Sequence, residues 1–131
     1  MGSRSLGVAD SSDAQKYVTV NYIATLVTQK FFVAPRKLIV TSIVGATRVA
    51  GSGGACTASF YKAASAVAVG SGTLLHAGSF NLVGTADTNQ ALTLSPVPGA
   101  LTLNPGDSLG YVLSGTATSA VGSVTITLEP L

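Results

Sequence analysis

The stretch that decides the fold is LTLNPGDSLGYVLSGTATSAVGSVTITLEPL, residues 101–131. Every second position in two of its segments is apolar, as a strand with one buried face requires. These positions are Leu109, Tyr111, Leu113, Val124, Ile126 and Leu128. Pro105 and Gly106 suit the second and third positions of a type II turn, with Asp107 as the last turn residue, capping exposed backbone donors. The stretch contains no Lys, Arg, His or Cys, so we interpret it as scaffold and contact surface.

The same period of two recurs upstream, with interruptions at turn residues. Pro35 cannot donate a ladder hydrogen bond and ends one run. The segment from Leu38 is apolar on both faces, which predicts a central strand. Gly78 is expected to form a bulge within its segment. The predicted strands before residue 101 are 17–27, 38–44, 56–62, 74–83 and 91–94. Together with the C-terminal stretch they make about eight short strands, which predicts an all-β sandwich, most simply an eight-stranded jelly roll.

A chain of 131 residues suits a single domain that buries about two-thirds of its surface. Residues 1–16 are small and polar and show no period, so we expect a flexible N-terminal arm followed by one sandwich domain, 17–131. Charged residues make up only 9% of the chain, against about 25% in typical domains. Such a bland surface is usually covered by partners or identical subunits, which predicts an oligomer.

The basic residues are confined to the first 62 positions, although the net charge is only +2. The later part of the chain contributes acids alone, so one end of the folded domain is expected to be mildly basic. Bulk charge does not indicate a nucleic-acid partner. The start of the chain has no signal-peptide core, and no apolar run is long enough to span a membrane, so no membrane association is expected.

The sequence provides little for catalysis or for metal and cofactor binding. Cys56 is the only cysteine, and its alternating neighbours place it with Ala58 and Phe60 on one strand face, which predicts a buried structural thiol. His76 is the only histidine, so histidine-pair metal sites cannot form. No nucleophile elbow or phosphate loop occurs. We expect no enzymatic activity, no metal and no cofactor, with His76 as a structural or surface residue.

The body of the chain resembles the small β-rich virion proteins of tailed bacteriophages, namely capsid decoration (cement) proteins and related head-fibre modules. The resemblance rests on FFVAPRKLIVTSIVGATRVAG (31–51), GTLLHAGSFNLVGTA (72–86), LTLNPGDSLGYVLSGT (101–116) and GSVTITLEPL (122–131). It implies a homotrimer on the outer capsid surface that binds the major capsid protein across capsomer boundaries and stabilises the shell. The family has no invariant catalytic residues.

Basic residues are the candidates for contact with an acidic shell. The candidate capsid-contact residues are Lys30, Arg36, Lys37, Arg48 and Lys62. Arg36 is the best anchor, because Pro35 fixes the chain before it and a guanidinium binds carboxylates with two hydrogen bonds. Two other functions remain open. A tail- or head-fibre module would bind a host receptor or carbohydrate, and a pilus-like module would polymerise through an open sheet edge.

Overall fold

The computed structural model describes residues 16–23, 29–49, 56–115 and 121–131. The predicted arm therefore lies almost wholly outside the described residues, as do the side chains of the predicted strand 17–27. Within the described ranges the chain forms ten strands and one short 3-10 turn, Val69–Ser71. The strands are β1 (Lys16–Ile23), β2 (Gln29–Val33), β3 (Leu38–Val49), β4 (Cys56–Ala63), β5 (Thr73–Leu74), β6 (Phe80–Asn81), β7 (Asn89–Ala91), β8 (Thr102–Leu103), β9 (Ser108–Gly115) and β10 (Val121–Pro130).

The strands form two antiparallel sheets that face each other. Sheet I has the order β1–β10–β3, with β7 and β8 both pairing with β3, and sheet II has the order β2–β9–β4, with β5 and β6 both pairing with β4. The first strand thus pairs with the last and the second with the second-to-last, and inside these β3 pairs with β7 and β8 while β4 pairs with β5 and β6. One long hairpin folded over itself in this way is a jelly roll. The predicted fold class is confirmed. The ten strands occupy the eight strand positions of a jelly roll, because β5 with β6 and β7 with β8 each fill one position as two short pieces.

The core consists of alternate side chains from both sheets, as the sequence pattern predicts. Cys56, Ala58 and Phe60 are buried on one face of β4. On β10 the predicted inward residues Val124, Ile126 and Leu128 are buried. On β9 Leu109 and Tyr111 are buried, and Leu113 is partly buried against the core. Phe31 from β2 stacks on Tyr111 with ring centroids 5.9 Å apart. The apolar alternation therefore specifies which face of each strand points inward.

A bulge explains why the segment from Leu38 is apolar on both faces. Val40 pairs with Leu128 and Ser42 pairs with Thr127, so Thr41 is an extra residue that no partner opposes. Its hydroxyl donates to the Thr127 carbonyl oxygen at 3.3 Å. One extra residue shifts the buried set from even to odd positions, from Leu38 and Val40 to Ile43. The prediction of a central strand is confirmed, since β3 lies between β10 on one side and β7 and β8 on the other.

The predicted turn at 104–107 forms as expected. Gly106 has φ +91°, which an L side chain rarely adopts. The Asp107 N–H donates to the Asn104 carbonyl oxygen at 2.9 Å, and the Asp107 carboxylate accepts from the Asn104 N–H, also at 2.9 Å. Asp107 is thus the predicted capping residue, and this turn aims β9 back across the molecule toward β2 and β4.

The segment 74–83 differs from the prediction, because it is not one strand with a bulge. It forms the two-residue strands β5 and β6, and Gly78, at φ +67°, lies between them. In the gap, the Leu75 N–H still donates to Phe60 O of β4 at 3.0 Å, and the Ala77 N–H donates to Thr93 O, in the segment after β7, at 2.8 Å. The buried His76 side chain fills the vacated place beside β4, because its Nε2 accepts the Phe60 N–H at 2.9 Å. A side chain thus replaces one rung of the ladder.

Candidate contact surface

Strand register places the charged side chains at the two ends of the sandwich. One end is formed by residues 33–37, 95–101 and 129–131, where β2 and β10 end and β3 begins; it holds Arg36, Lys37 and Glu129, and we call it the Pro35 end. The Leu131 N–H donates to Lys37 O at 3.1 Å, which joins two of these segments, and the Ala34 N–H donates to Asp107 O in the turn 104–107 at 2.8 Å. The opposite end includes the last residues of β3 and the first residues of β10, which pair with each other.

The five candidate contact residues do not form one cluster. Arg36 and Lys37 are exposed in the turn between β2 and β3. Lys30 and Lys62, on β2 and β4, direct their ammonium groups toward loops next to this end. Arg48 lies near the far end of the 12-residue strand β3, and a strand rises about 3.3 Å per residue. Arg48 is therefore separated from Lys37 by roughly the length of the sandwich.

Lys62 uses its charge within the chain. It has the same strand parity as Cys56 and Phe60, so its stem points between the two sheets at the margin of the core. Its Nζ donates to the carbonyl oxygens of Gly99 and Thr102, both at 2.6 Å. Because Thr102 belongs to β8 of sheet I, this ammonium joins the sheets and holds the loop 95–101 in place.

Lys30 makes a similar but weaker contact with its own chain. Its Nζ donates to the Ala64 carbonyl oxygen at 3.1 Å, in the loop that follows β4. Lys30 and Lys62 are thus positioned mainly by their own chain. By exposure alone, Arg36, Lys37 and Arg48 remain candidates for contact with a partner.

We expect Lys62→Met to lower the free energy of unfolding by about 1.5 kcal/mol, because it removes two charge-assisted hydrogen bonds but keeps the apolar stem. Urea denaturation followed by circular dichroism measures this change. Lys37→Met is the matched control, since Lys37 is exposed, and its expected effect is below about 0.5 kcal/mol. Equal effects of the two substitutions would contradict the role of Lys62 as a link between the sheets.

Exposed apolar side chains accompany Arg36 and Lys37. In the described part of the chain, the large hydrophobic residues with the most exposed surface are Val33 at 61%, Val97 at 60% and Leu131 at 58%, with Leu74 next at 38%. The first three belong to the Pro35 end. This end therefore combines exposed apolar groups with Arg36, Lys37 and Glu129, and the sequence did not indicate Val97 because it lies between predicted strands.

Among the residues that the structure describes, the opposite end has one cation, Arg48, and one anion, Asp87. Arg48 and Asp87 line a shallow surface groove together with Ala46, Val121, Gly122 and Ser123. Asp87 has φ +57° and its N–H donates to the Thr47 carbonyl oxygen at 2.7 Å, which fixes it at the rim. The two charges have opposite signs and cancel, so these two residues give the groove no net charge.

The nucleophilic and titratable groups of the interior serve the fold. Cys56 is buried, and burial raises the pKa of its thiol, as expected for a structural cysteine. Burial lowers the pKa of His76. Because its Nε2 accepts the Phe60 N–H, the proton of the neutral ring lies on Nδ1, which donates to Ala77 O at 3.1 Å. His76 is thus structural, as predicted.

Within the described ranges, no three His, Cys, Asp or Glu residues cluster as metal ligands would, and no helix there is long and apolar enough to cross a membrane.

Comparison with known proteins gives similarity of fold only. No protein-family model matches the chain, and no curated protein sequence matches it. A chain in the cyanophage Pam1 capsid asymmetric unit has a TM-score of 0.52 at 15% identity, over 100% of this chain and 93% of that one. At that identity the likeness supports the fold alone. The described β-sandwich is therefore of a kind that also occurs in a phage capsid.

Two other solved structures are more distant. A chain from Bacillus endospore appendages, a family of disulfide-linked pili, gives a TM-score of 0.38 at 17% identity over 92% of this chain and 89% of that one. A chain of the infectious bursal disease virus Gx strain gives 0.34 at 16% identity over 88% of this chain and 32% of its own length. Both TM-scores are too low to bear on fold or function.

Proposed function

We propose that this chain is a non-enzymatic structural protein of a virion, a capsid decoration protein that binds the outer capsid surface of a tailed phage. The observation that carries the proposal is the likeness of its whole length to a chain of a phage capsid unit. The sequence resemblance to decoration proteins, drawn from different features, points in the same direction. The proposed partners are further copies of the chain, as a homotrimer, and the major capsid protein.

The physical properties of the molecule suit this role. A sandwich with a preformed core presents rigid surfaces, so little conformational entropy is lost when it docks. Only 9% of its residues are charged, which reduces the cost of removing water from the contact faces. A ligand that binds the assembled shell and not its separated subunits stabilises the shell by mass action. Decoration would therefore need no chemistry beyond shape and surface complementarity.

Light scattering coupled to size exclusion tests the oligomer. The expected mass is about 39 kDa, three times the 13.0 kDa of one chain. A monomer at micromolar concentration would contradict the trimer.

Virions of the phage that encodes the chain test the location and the role. Gold-labelled antibodies against the purified protein should label the outer surface of the head. Heads stripped of the protein should bind it again on co-sedimentation and then resist heating to a higher temperature. Label confined to the tail or to a fibre, with binding to host cells or glycans, would instead establish the receptor-binding alternative. Absence of label from the particles would overturn a virion role.

A further inference from the structure

We infer that copies of this chain contact one another through the Arg48 groove, where the Arg48 guanidinium of one copy binds the Asp87 carboxylate of the next. The Arg48 groove is the shallow surface lined by Ala46, Arg48, Asp87, Val121, Gly122 and Ser123. The inference rests on the homotrimer of the proposed function and adds to it a contact face and a residue pair. It assigns Arg48 to the contact between copies, not to the capsid shell.

Strand register shows that the groove continues into a contiguous uncharged face of sheet I. The residues Ile43 and Val124, which alternate with the positions of this face, are buried, so the face points outward. Paired neighbours on one face of a sheet lie about 5 Å apart, so the rows form one surface of exposed or half-buried side chains. The two rows run across β7, β3 and β10 and are Ala91–Val44–Thr125 and Asn89–Ala46–Ser123.

The outer face of sheet II, in contrast, is covered at its centre by the chain itself. The 3-10 turn Val69–Ser71 lies on β9 with Val69 buried, and a Cβ at Gly110 would lie 2.7 Å from Val69 Cγ2. Lys30 holds the start of this loop through the Ala64 carbonyl oxygen. Sheet I therefore provides the flatter face for a partner.

Arg48 and Asp87 are exposed charges that the single chain does not use. Within the described ranges, no hydrogen bond or ion pair involves either side chain, whereas Lys62 and Asp107 bind atoms of their own chain. The Asp87 N–H donates to the carbonyl oxygen of Thr47, the residue before Arg48, at 2.7 Å. This bond fixes the spacing of the two residues along the groove, so little entropy is lost when both charges find partners.

The pair of opposite charges selects an identical copy as the partner. A partner surface with a single sign of charge would attract one of the two groups and repel the other. A second copy presents the same cation and anion at the same spacing, so rotation about an axis beside the groove sets each Arg48 against an Asp87. Three copies form three such pairs with no group left over, and a guanidinium binds a carboxylate with two parallel hydrogen bonds.

Light scattering of the full-length protein over a concentration series tests the contact. Arg48→Glu and Asp87→Lys should each raise the concentration at which half of the chains are assembled by about tenfold, because each opposes like charges at every contact. The double variant Arg48→Glu/Asp87→Lys exchanges the two charges and should assemble within about threefold of the wild-type concentration. Lys37→Glu, a charge reversal at the Pro35 end, is the matched control and should assemble like the wild type.

Asp87 needs a second variant, because its φ of +57° is unfavourable for lysine. Asp87→Asn removes the charge and keeps a residue that tolerates this backbone conformation, so it should weaken assembly by about threefold without strain. Circular dichroism verifies that every variant is folded. If Asp87→Lys does not fold, Arg48→Glu and Asp87→Asn decide the result.

The outcomes separate the contact from the function. Wild-type trimers that the single reversals weaken and the double variant restores support the contact. Trimers that the single variants leave unchanged, or a folded double variant that assembles no better than the single ones, overturn it and leave the trimer intact. If the wild type is a monomer, the homotrimer and the contact fall together. Co-sedimentation of the wild type with stripped heads decides the decoration role separately.

Discussion

Phe80→Ala is expected to lower the free energy of unfolding by about 4 kcal/mol, the largest effect of any single truncation considered for this fold. Phe80 has no exposed surface. It belongs to the two-residue strand β6 of sheet II, yet its ring reaches Gly45 of β3 in sheet I: a Cβ at Gly45 would lie 3.0 Å from the ring's Cε1. The missing side chain at Gly45 thus makes room for the ring, and removing the ring leaves a cavity between the sheets.

Guanidinium denaturation followed by far-ultraviolet circular dichroism measures the change. Phe80→Leu, which refills part of the volume, should lose about 1.5 kcal/mol. Leu74→Ala is the control, because Leu74 lies on the same sheet at 38% exposure and should lose less than about 1 kcal/mol. A loss for Phe80→Ala no larger than that of Leu74→Ala would mean that the two sheets do not pack through this contact.

The fold class was predictable because its signals are local. The alternation in β9 and β10 and the Pro105–Gly106 turn each depend on neighbouring residues alone, and the structure confirms them. Strand order was not predictable from one sequence. It depends on which strands pair after the long hairpin folds over itself, and no short-range pattern encodes that choice.

The differences from prediction arise where a tertiary contact overrides a local pattern. Residues 74–83 have the composition of a strand, but the His76 side chain takes the hydrogen-bonding place of a backbone group beside β4, and residues 76–77 pair with residues 93–94 instead. In the same way, the extra residue Thr41 moves the buried face of β3 from even to odd positions. Neither feature changes the composition of its segment, so neither is visible without the partner strand.

The candidate surface was predictable only in part. Arg36 and Lys37 lie close together because they are adjacent in a short turn. Arg48 was grouped with them only by its charge, and most of the length of β3 separates it from them. Lys62 was predicted as a surface cation, but its position on the inward face of β4 directs its ammonium to Gly99 and Thr102. Val97 was missed because a valine between prolines in a connection gives no signal of exposure.

Acidification should destabilise the protein through His76, and substitution of His76 should remove that response. Burial lowers the pKa of His76 below its ordinary value of about 6.5. Above pH 6.5 the imidazole is neutral in both the folded and unfolded states. Below it, the unfolded chain binds a proton that the folded chain does not, so the free energy of unfolding falls as the pH drops from about 6.5 to the lowered pKa. The cause is structural, because a protonated Nε2 cannot accept the Phe60 N–H.

Two substitutions at His76 separate titration from structure. His76→Gln keeps an acceptor oxygen within reach of the Phe60 N–H but does not titrate, so its stability should be flat between pH 6.5 and 5 and close to that of the wild type at pH 7.5. His76→Ala should be equally flat but lower by at least about 2 kcal/mol at pH 7.5, because a buried N–H loses its partner. Urea denaturation across this pH range measures all three proteins. If His76→Gln keeps the full pH dependence of the wild type, another group is responsible for that dependence. If His76→Ala is as stable as His76→Gln, the hydrogen bond between the Phe60 N–H and His76 does not stabilise the fold.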